Sequence, residues 1–273
     1  MNNFKTMKAF LYCCFFLTSC STGIKIAVPS SPGGLSGSAF YAKAAAMGWQ
    51  ARDSLALLEI LRGNIPSFLK HFYPVRTGYR DSLTGKEFEA VFYVAPDYLS
   101  LGSDADWARV NLTPRAAQRI ADSFGCFLPT RKMVDDIYRS ATVKLEPMPL
   151  FALRDSSPTM YHHHLIIEGQ RKQRKGLIAG IKKDIVLSGR LSENGKADRV
   201  AIYGWHRTDG KPIQPLYTGH VYWWVDYSQS VRLVYRRIKV NGKWMDYKDI
   251  LADPMLNRLI CDEQYCDFYK YPY

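Results

Sequence analysis

The stretch HVYWWVDYSQSVR, residues 220–232, decides how the second half of the chain is read. If it is extended, alternate residues share a face. His220, Tyr222, Trp224, Asp226, Ser228, Ser230 and Arg232 then stand together. Val221, Trp223, Val225, Tyr227 and Val231 oppose them, with Gln229 the one polar interruption. The second face is apolar enough to lie on a core. The first sets aromatic rings among an imidazole, a carboxylate and hydroxyls, as in a cleft that stacks sugar rings. Spacing limits the chemistry, because six residues of straight strand span roughly 20 Å. A dyad of His220 with Asp226 therefore needs a bend or a partner from elsewhere. His206 is the nearest candidate, since it and His220 bracket a loop whose ends a hairpin could bring together.

Outward from this stretch the period-two pattern continues. HHHLIIEG (162–169), KDIVLSG (183–189) and RVAIYGW (199–205) read as strands. Asn241-Gly242, between RRIKV and KWMDY, is a strong hairpin signal, and Asp209-Gly210 marks a second turn. YKDILADPMLNRLI (247–260) reads as a short helix broken near Pro254. The half before about residue 150 reads mostly helical. SGSAFYAKAAAMG (36–48) and QARDSLALLEILRG (50–63) each end at a glycine able to cap a helix. Thr113-Pro114 opens RAAQRIADSFG, and Thr130 opens RKMVDDIYRSA. EFEAVFYVAP (87–96) alternates like a strand. The expected class is α+β, with N-terminal helices packed on a C-terminal, mainly antiparallel β-sheet. A single domain would span 38–273, helical to about 150 and β-rich over 151–273.

The first residues, MNNFKTMKAFLYCCFFLTSC, place Lys5 and Lys8 before a ten-residue apolar block. That block is too short to span a bilayer as a helix and reads as a secretory signal over 1–19. Leu17-Thr18-Ser19-Cys20 resembles the lipobox of bacterial lipoproteins. The resemblance implies cleavage before Cys20, lipidation of its thiol and attachment to a membrane of the cell envelope. Ser21 follows with no acidic run behind it, which by analogy with lipoprotein sorting implies the outer membrane, facing the periplasm. Residues 20–37, rich in Ser, Gly and Pro, read as a tether.

Apolar content of 47% supports a real core, and aromatics at 14% are generous. The formal charge is +12. A basic exported chain meets lipid headgroups, lipopolysaccharide or acidic glycans such as peptidoglycan, and lacks access to nucleic acid. In an oxidising compartment Cys261 and Cys266 could close a small loop, leaving Cys126 buried or free. Alternatively Cys126 pairs with one of them.

Among candidate site residues, His206, His220, Asp226 and Ser228 carry the acid–base and nucleophile types. No GxSxG elbow accompanies Ser228. Zinc is a possible cofactor, with His206 and His220 as its ligands, but no HExxH spacing supports it. Tyr222, Trp224, Arg232 and Lys183 are the candidate substrate contacts, with Trp223 a further aromatic platform. Cys126 is either a thiol nucleophile or, more simply, a small buried side chain. The run QRKQRKGLIAGIKKD (170–184) holds Arg171, Lys172, Arg174, Lys175, Lys182 and Lys183. It reads as a solvated turn or as a docking patch for anionic glycan or phosphate headgroups.

SQSVRL resembles the SHGCIRL signature of L,D-transpeptidases, but Gln229 replaces the histidine and the cysteine is absent, so that chemistry is unsupported. His220 with Asp226 resembles the HxxxxxxD element of D-Ala-D-Ala peptidases, one residue short. LPTRKMVDDIY, AGIKKDIVLS, RVAIYGWHRTDGKPIQPLY and HVYWWVDYSQSVRLV together resemble a group of uncharacterised exported bacterial proteins, over roughly residues 90–260. In that group's pattern histidines stand where this chain has Ile181 and Gln229. The resemblance implies a site in which His206, His220 and Asp226 are kept and two polar partners are missing. Two functions are expected from these residues. One is a lipid-anchored hydrolase of peptidoglycan or another envelope glycan, and the other a non-catalytic glycan- or peptide-binding lipoprotein. A structural envelope subunit is the third.

Overall fold

The computed structural model describes residues 23–29, 33–193, 195–196 and 198–273. The leader and Cys20 lie outside them. Before residue 110 the strands are β1 (Ile24–Lys25), β2 (His71–Arg80), β3 (Glu87–Val94), β4 (Ser100–Gly102) and β5 (Trp107–Arg109). The middle of the chain adds β6 (Cys126–Phe127), β7 (Val143–Lys144), β8 (Ile178–Ala179) and β9 (Lys183–Ile185). Then follow β10 (Arg199–His206), β11 (Pro212–Val221), β12 (Gln229–Ser230), β13 (Val234–Tyr235), β14 (Arg237–Val240) and β15 (Lys243–Asp246). The helices are α1 (Gly37–Ala44), α2 (Trp49–Leu61), α3 (Pro114–Ser123), α4 (Arg131–Ser140), α5 (Ser157–Arg171) and α6 (Tyr247–Ala252).

Two sheets organise the described residues. The larger runs β1-β2-β3-β13-β6, with β14 on β3 and β15 on β14. The smaller runs β11-β10-β9-β12, antiparallel except for β12, which lies parallel to β9. The class is α+β and mainly antiparallel. Local chemistry explains the turns. Asn241 (φ 44°) and Gly242 (φ 84°) both take the left-handed conformation of a tight hairpin joining β14 to β15. At the β10–β11 turn the Asp209 carboxylate accepts the Lys211 N–H (2.9 Å). Thr113 and Thr130 cap α3 and α4 through Oγ1, which accepts the N–H of Ala116 (3.2 Å) and of Met133 (3.3 Å). One large apolar core joins both sheets and α1–α4. A smaller cluster gathers Tyr98, Val143, Leu145, Ile167, Ile178 and Ile181.

Three expectations are corrected. HHHLIIEG is not a strand: it lies within α5, capped by Ser156, whose Oγ accepts the Thr159 N–H. The division at residue 150 does not hold either, because β2, β3 and β6 build the larger sheet while α5 comes later. Finally, not all of 20–37 is free tether. Ile24 and Lys25 pair with Phe72 and His71, and Ile26 is buried in the core. Of the cysteine alternatives, Cys261 bonds Cys266 and Cys126 is a buried free thiol whose pKa burial pushes up.

Candidate functional site

Residues 220–232 do not form one strand. β11 ends at Val221, and the chain turns through Tyr222–Ser228 before β12. Asp226 causes the break. Its Oδ1 accepts the Ser228 N–H (2.9 Å), the Ser228 hydroxyl (2.7 Å) and the Gln229 N–H (3.0 Å), an Asx turn that competes with the ladder. Arg154 donates to Oδ2 (2.7 Å), and Lys183 Nζ stands 3.4 Å from it. Burial pushes this carboxyl up, but Lys183, Ser228 and Arg154 outweigh that and hold it below the usual range. Asn111 Nδ2 clamps the same turn by donating to the carbonyls of Asp226 (2.9 Å), Tyr227 (3.0 Å) and Gln229. The shared face predicted for His220, Asp226 and Ser228 therefore does not exist. Ser228 is fully buried with its proton committed to Asp226, and Asp226 acts as the pin of a turn. Neither is poised as nucleophile or base.

The two histidines are not brought together. His206 faces Pro212 at one end of the β10–β11 hairpin and His220 faces Val200 at the other, roughly 20 Å apart along the strand. His220 is half-buried between the rings of Tyr217 (5.0 Å) and Trp224 (6.1 Å). Burial and Lys183 push its pKa down. His206 has found a partner that sequence reasoning missed, Asp135 on α4. Nε2 donates to Asp135 Oδ1 (2.9 Å), which also accepts the Tyr203 hydroxyl (2.9 Å). The Tyr138 ring stacks on the imidazole at 4.5 Å. A hollow of about 400 Å³ opens here, lined also by Arg139, Lys144 and Asp209. No local pattern announces a pair 71 residues apart. Among the described residues no group of three His, Cys, Asp or Glu could hold a metal, so the zinc reading has no ligand set there.

The predicted anchors split. Arg232 is buried and braces the interior, donating to the carbonyls of Ala95 (3.0 Å) and Ile178 (2.8 Å) while lying over the Tyr98 ring (4.2 Å). It is not a surface anion anchor. Lys183 is buried as well, over Trp205 (5.6 Å), and burial pushes its pKa down. Beside it Lys182 donates to the Tyr227 carbonyl, and burial with nearby Arg109 lowers its pKa to about 7. Deeper still, Arg109 holds Asp97 (Nε–Oδ1 2.9 Å) and Glu168 (2.8 Å). At the two positions where the resembled group carries histidine, Ile181 packs in the small apolar cluster, and Gln229 is buried with Nε2 unpartnered.

The aromatic residues build a cleft. Trp223 and Trp224 stay 42% and 37% exposed. With Trp49, Met47 and Val225 they line a space of about 490 Å³, completed by Arg52, Asp155 and Ser156. Trp49 and Arg52 come from the first turn of α2, three residues apart and so on one face. Arg52 is only 6% exposed. Its Nη1 donates to the Asp155 carbonyl (2.9 Å), while Nε has no partner. Burial lowers the guanidinium's pKa, yet an arginine stays charged at neutral pH. Tyr222 does not line the cleft; it lies under the Arg115 guanidinium (3.8 Å) and edge-on to Trp49 (6.4 Å). Trp49, Arg52 and Asp155 were missed from the sequence, because nothing local to 49–52 or 155 joins them to 223–225.

No protein-family model matches the chain, and no curated protein or solved structure is similar to it. Among the described residues, no helix is long and apolar enough to cross a membrane.

Proposed function

We propose that this is a lipid-anchored envelope protein that binds an anionic glycan in the Trp49–Trp223–Trp224 cleft. The observation that carries the reading is a buried guanidinium with an unpartnered Nε beside three indoles. Indole faces stack on the C–H faces of sugar rings. A charged donor left short of an acceptor favours a ligand bearing a carboxylate or phosphate, since charge-assisted hydrogen bonds are the stronger ones. The volume is that of a site for a small ligand. Asp155 is the one carboxylate lining the cleft, and no imidazole or second carboxylate lines it to complete an acid–base pair; the nearby carboxylate of Asp226 is already bound on every side. Binding without turnover is therefore favoured over hydrolysis.

Retention of the purified protein on cell wall or on an acidic polysaccharide tests this. Trp224→Ala should weaken retention about five- to thirty-fold, equivalent to 1–2 kcal/mol. Arg52→Lys, which keeps the charge but loses the planar fork, should weaken binding to acidic chains more than to neutral ones. Unchanged retention in both variants sinks the reading. The anchor is tested separately by labelling with palmitate, which Cys20→Ala should abolish.

A hydrolytic second reading rests on the His206–Asp135 pair. Nε2 is occupied by Asp135, which leaves Nδ1 as the base in the neutral ring. Turnover of labelled peptidoglycan that His206→Gln abolishes, with melting unchanged, would replace the binding reading with this one.

A further inference from the structure

Because Lys182 and Lys183 are buried and Arg171 is paired with Glu168 (3.2 Å), the surface charge of the 171–184 run falls on Lys172, Arg174 and Lys175. These residues leave the C-terminus of α5 in a loop of fixed shape. Lys172 (φ 47°) and Gln173 (φ 59°) are both left-handed. Arg171 Nε donates to the Arg174 carbonyl (2.9 Å), and Arg174 Nε to that of Arg171 (3.0 Å). Lys172 and Lys175 are left exposed. The Arg171 guanidinium lies over Phe68 (5.6 Å) and Trp107 (5.5 Å), tying the loop to the 3-10 turn Ser67–Lys70. The Lys70 carbonyl accepts the Ile26 N–H (2.9 Å), and exposed Lys25 pairs with His71. The basic loop and the N-terminal strand thus border the same turn. Of the neighbouring acids, Glu168 is neutralised by Arg109 and Arg171, while Asp104 and Asp106 keep their charge and accept from the Ser67 N–H (2.6 Å) and from Ser38.

Chain length then matters. Ile24 is four residues from Cys20, at most about 14 Å of extended chain. A lipid on Cys20 would hold β1 close to the headgroups, within about two Debye lengths of roughly 8 Å each at physiological salt. We infer that Lys25, Lys70, Lys172, Arg174 and Lys175 form a docking face for anionic phospholipid headgroups, which orients the tethered domain on its membrane. The inference rests on the lipid-anchor reading of Cys20. It supplies the second of the two signals that stable anchoring takes, a basic patch beside an acyl chain.

The test is partition of the purified, lipidated full chain between phosphatidylcholine vesicles and vesicles containing phosphatidylglycerol, mixed in equal amounts. The anchor inserts into both, so the ratio reads the face. The protein should favour the anionic vesicles at least ten-fold at low salt and lose that preference in 0.5 M NaCl. Lys172→Asn with Lys175→Gln should remove most of that preference, since each lysine near the surface contributes up to about five-fold; asparagine tolerates the left-handed position. Lys25→Gln with Lys70→Gln should act in the same direction. Lys239→Gln with Lys243→Gln, on the remote β14–β15 hairpin, should not. Equal partition of the lipidated wild type overturns the face. So does a preference abolished by the hairpin variant and untouched by the loop variant. Unchanged partition with weakened retention of the loop variant on purified cell wall would assign the loop to a glycan and overturn the inference too. The mass of the mature chain reads the anchor independently. An unmodified chain that still prefers anionic vesicles removes the tether and keeps the face.

Discussion

His163 lies in α5 with its ring edge-on to Tyr227 (4.8 Å), fully buried, and neither ring nitrogen completes a hydrogen bond. Burial, with Lys182 and Arg109 nearby, pushes its pKa from 6.5 to about 2. Its neighbour His164 is lowered to about 3 by burial and Arg109. Both imidazoles are neutral in the folded chain and take up protons on unfolding. The unfolded state therefore binds more protons below 6.5, and stability falls as pH drops from about 6.5 towards 3. Asp184 works the other way. Burial raises its carboxyl to about 6, so its contribution is present below about 4 and lost as pH rises through 6. Two imidazoles set against one carboxyl leave a net loss of stability in acid. His163→Leu should shift the acid-unfolding midpoint to lower pH and flatten the limb below 6.5, read by circular dichroism across a pH series. His162→Gln, at the exposed neighbouring position on the same helix, should leave the profile unchanged. An identical profile for both variants would mean that burial of His163 does not set the acid limb.

Among the elements, those with a chemical start signal were legible. Thr113-Pro114 and Thr130 gave α3 and α4, and Asn241-Gly242 gave the β14–β15 hairpin, because capping and left-handed turns are decided by residues adjacent in sequence. α5 carried a start signal too, Ser156 with Pro158 in the first turn. The His-Leu-Ile run behind it masked the signal, because the one buried stripe (Ser157, Met160, His163, His164 and Ile167) is largely polar while Leu165 is exposed, so hydropathy shows no helical period. β2 was missed because Pro74 argues against a strand. It is tolerated because β1 covers only His71 and Phe72, which leaves Pro74 where β2 has no neighbour on that side. Of the site, the aromatic platforms could be seen and their partners could not: Trp49, Arg52 and Asp135 reach the hollows through tertiary packing alone. The α3 cap carries more than its helix. Thr113 Oγ1 accepts the Ala116 N–H and donates to Asp53 Oδ2 (2.7 Å), while its N–H binds Asp53 Oδ1 (2.9 Å). Thr113→Ala should cost about 1–2 kcal/mol in urea unfolding, and Thr113→Ser should restore most of it. Equal stability of the alanine variant would show that α3 does not depend on this cap.

At the scale of the molecule, the two sheets are laced together by the last residues of the chain. Tyr271 is buried. Its hydroxyl accepts the Ala201 N–H (3.0 Å) and donates to the Val186 carbonyl (2.7 Å), both in the smaller-sheet region, while its N–H donates to Gln118 on α3 (3.2 Å). Tyr247 on α6 donates to the Tyr269 carbonyl (3.1 Å), which ties the same tail to the side of the larger sheet. A tail in this position couples two sheets that sequence reading merged into one. Their separation was invisible because it depends on where β12 and β13 part company after the Asp226 turn. Tyr271→Phe keeps the ring and strands two buried backbone groups, so it should cost roughly 1–3 kcal/mol. Tyr271→Ala adds a cavity and should cost about 3–5 kcal/mol, the range seen for large aromatic truncations. In both variants the intrinsic fluorescence and circular dichroism transitions should stay coincident, because a shared core unfolds as one unit. Transitions that separate in Tyr271→Ala, with one sheet melting before the other, would show that this tyrosine is what makes the two sheets a single cooperative domain.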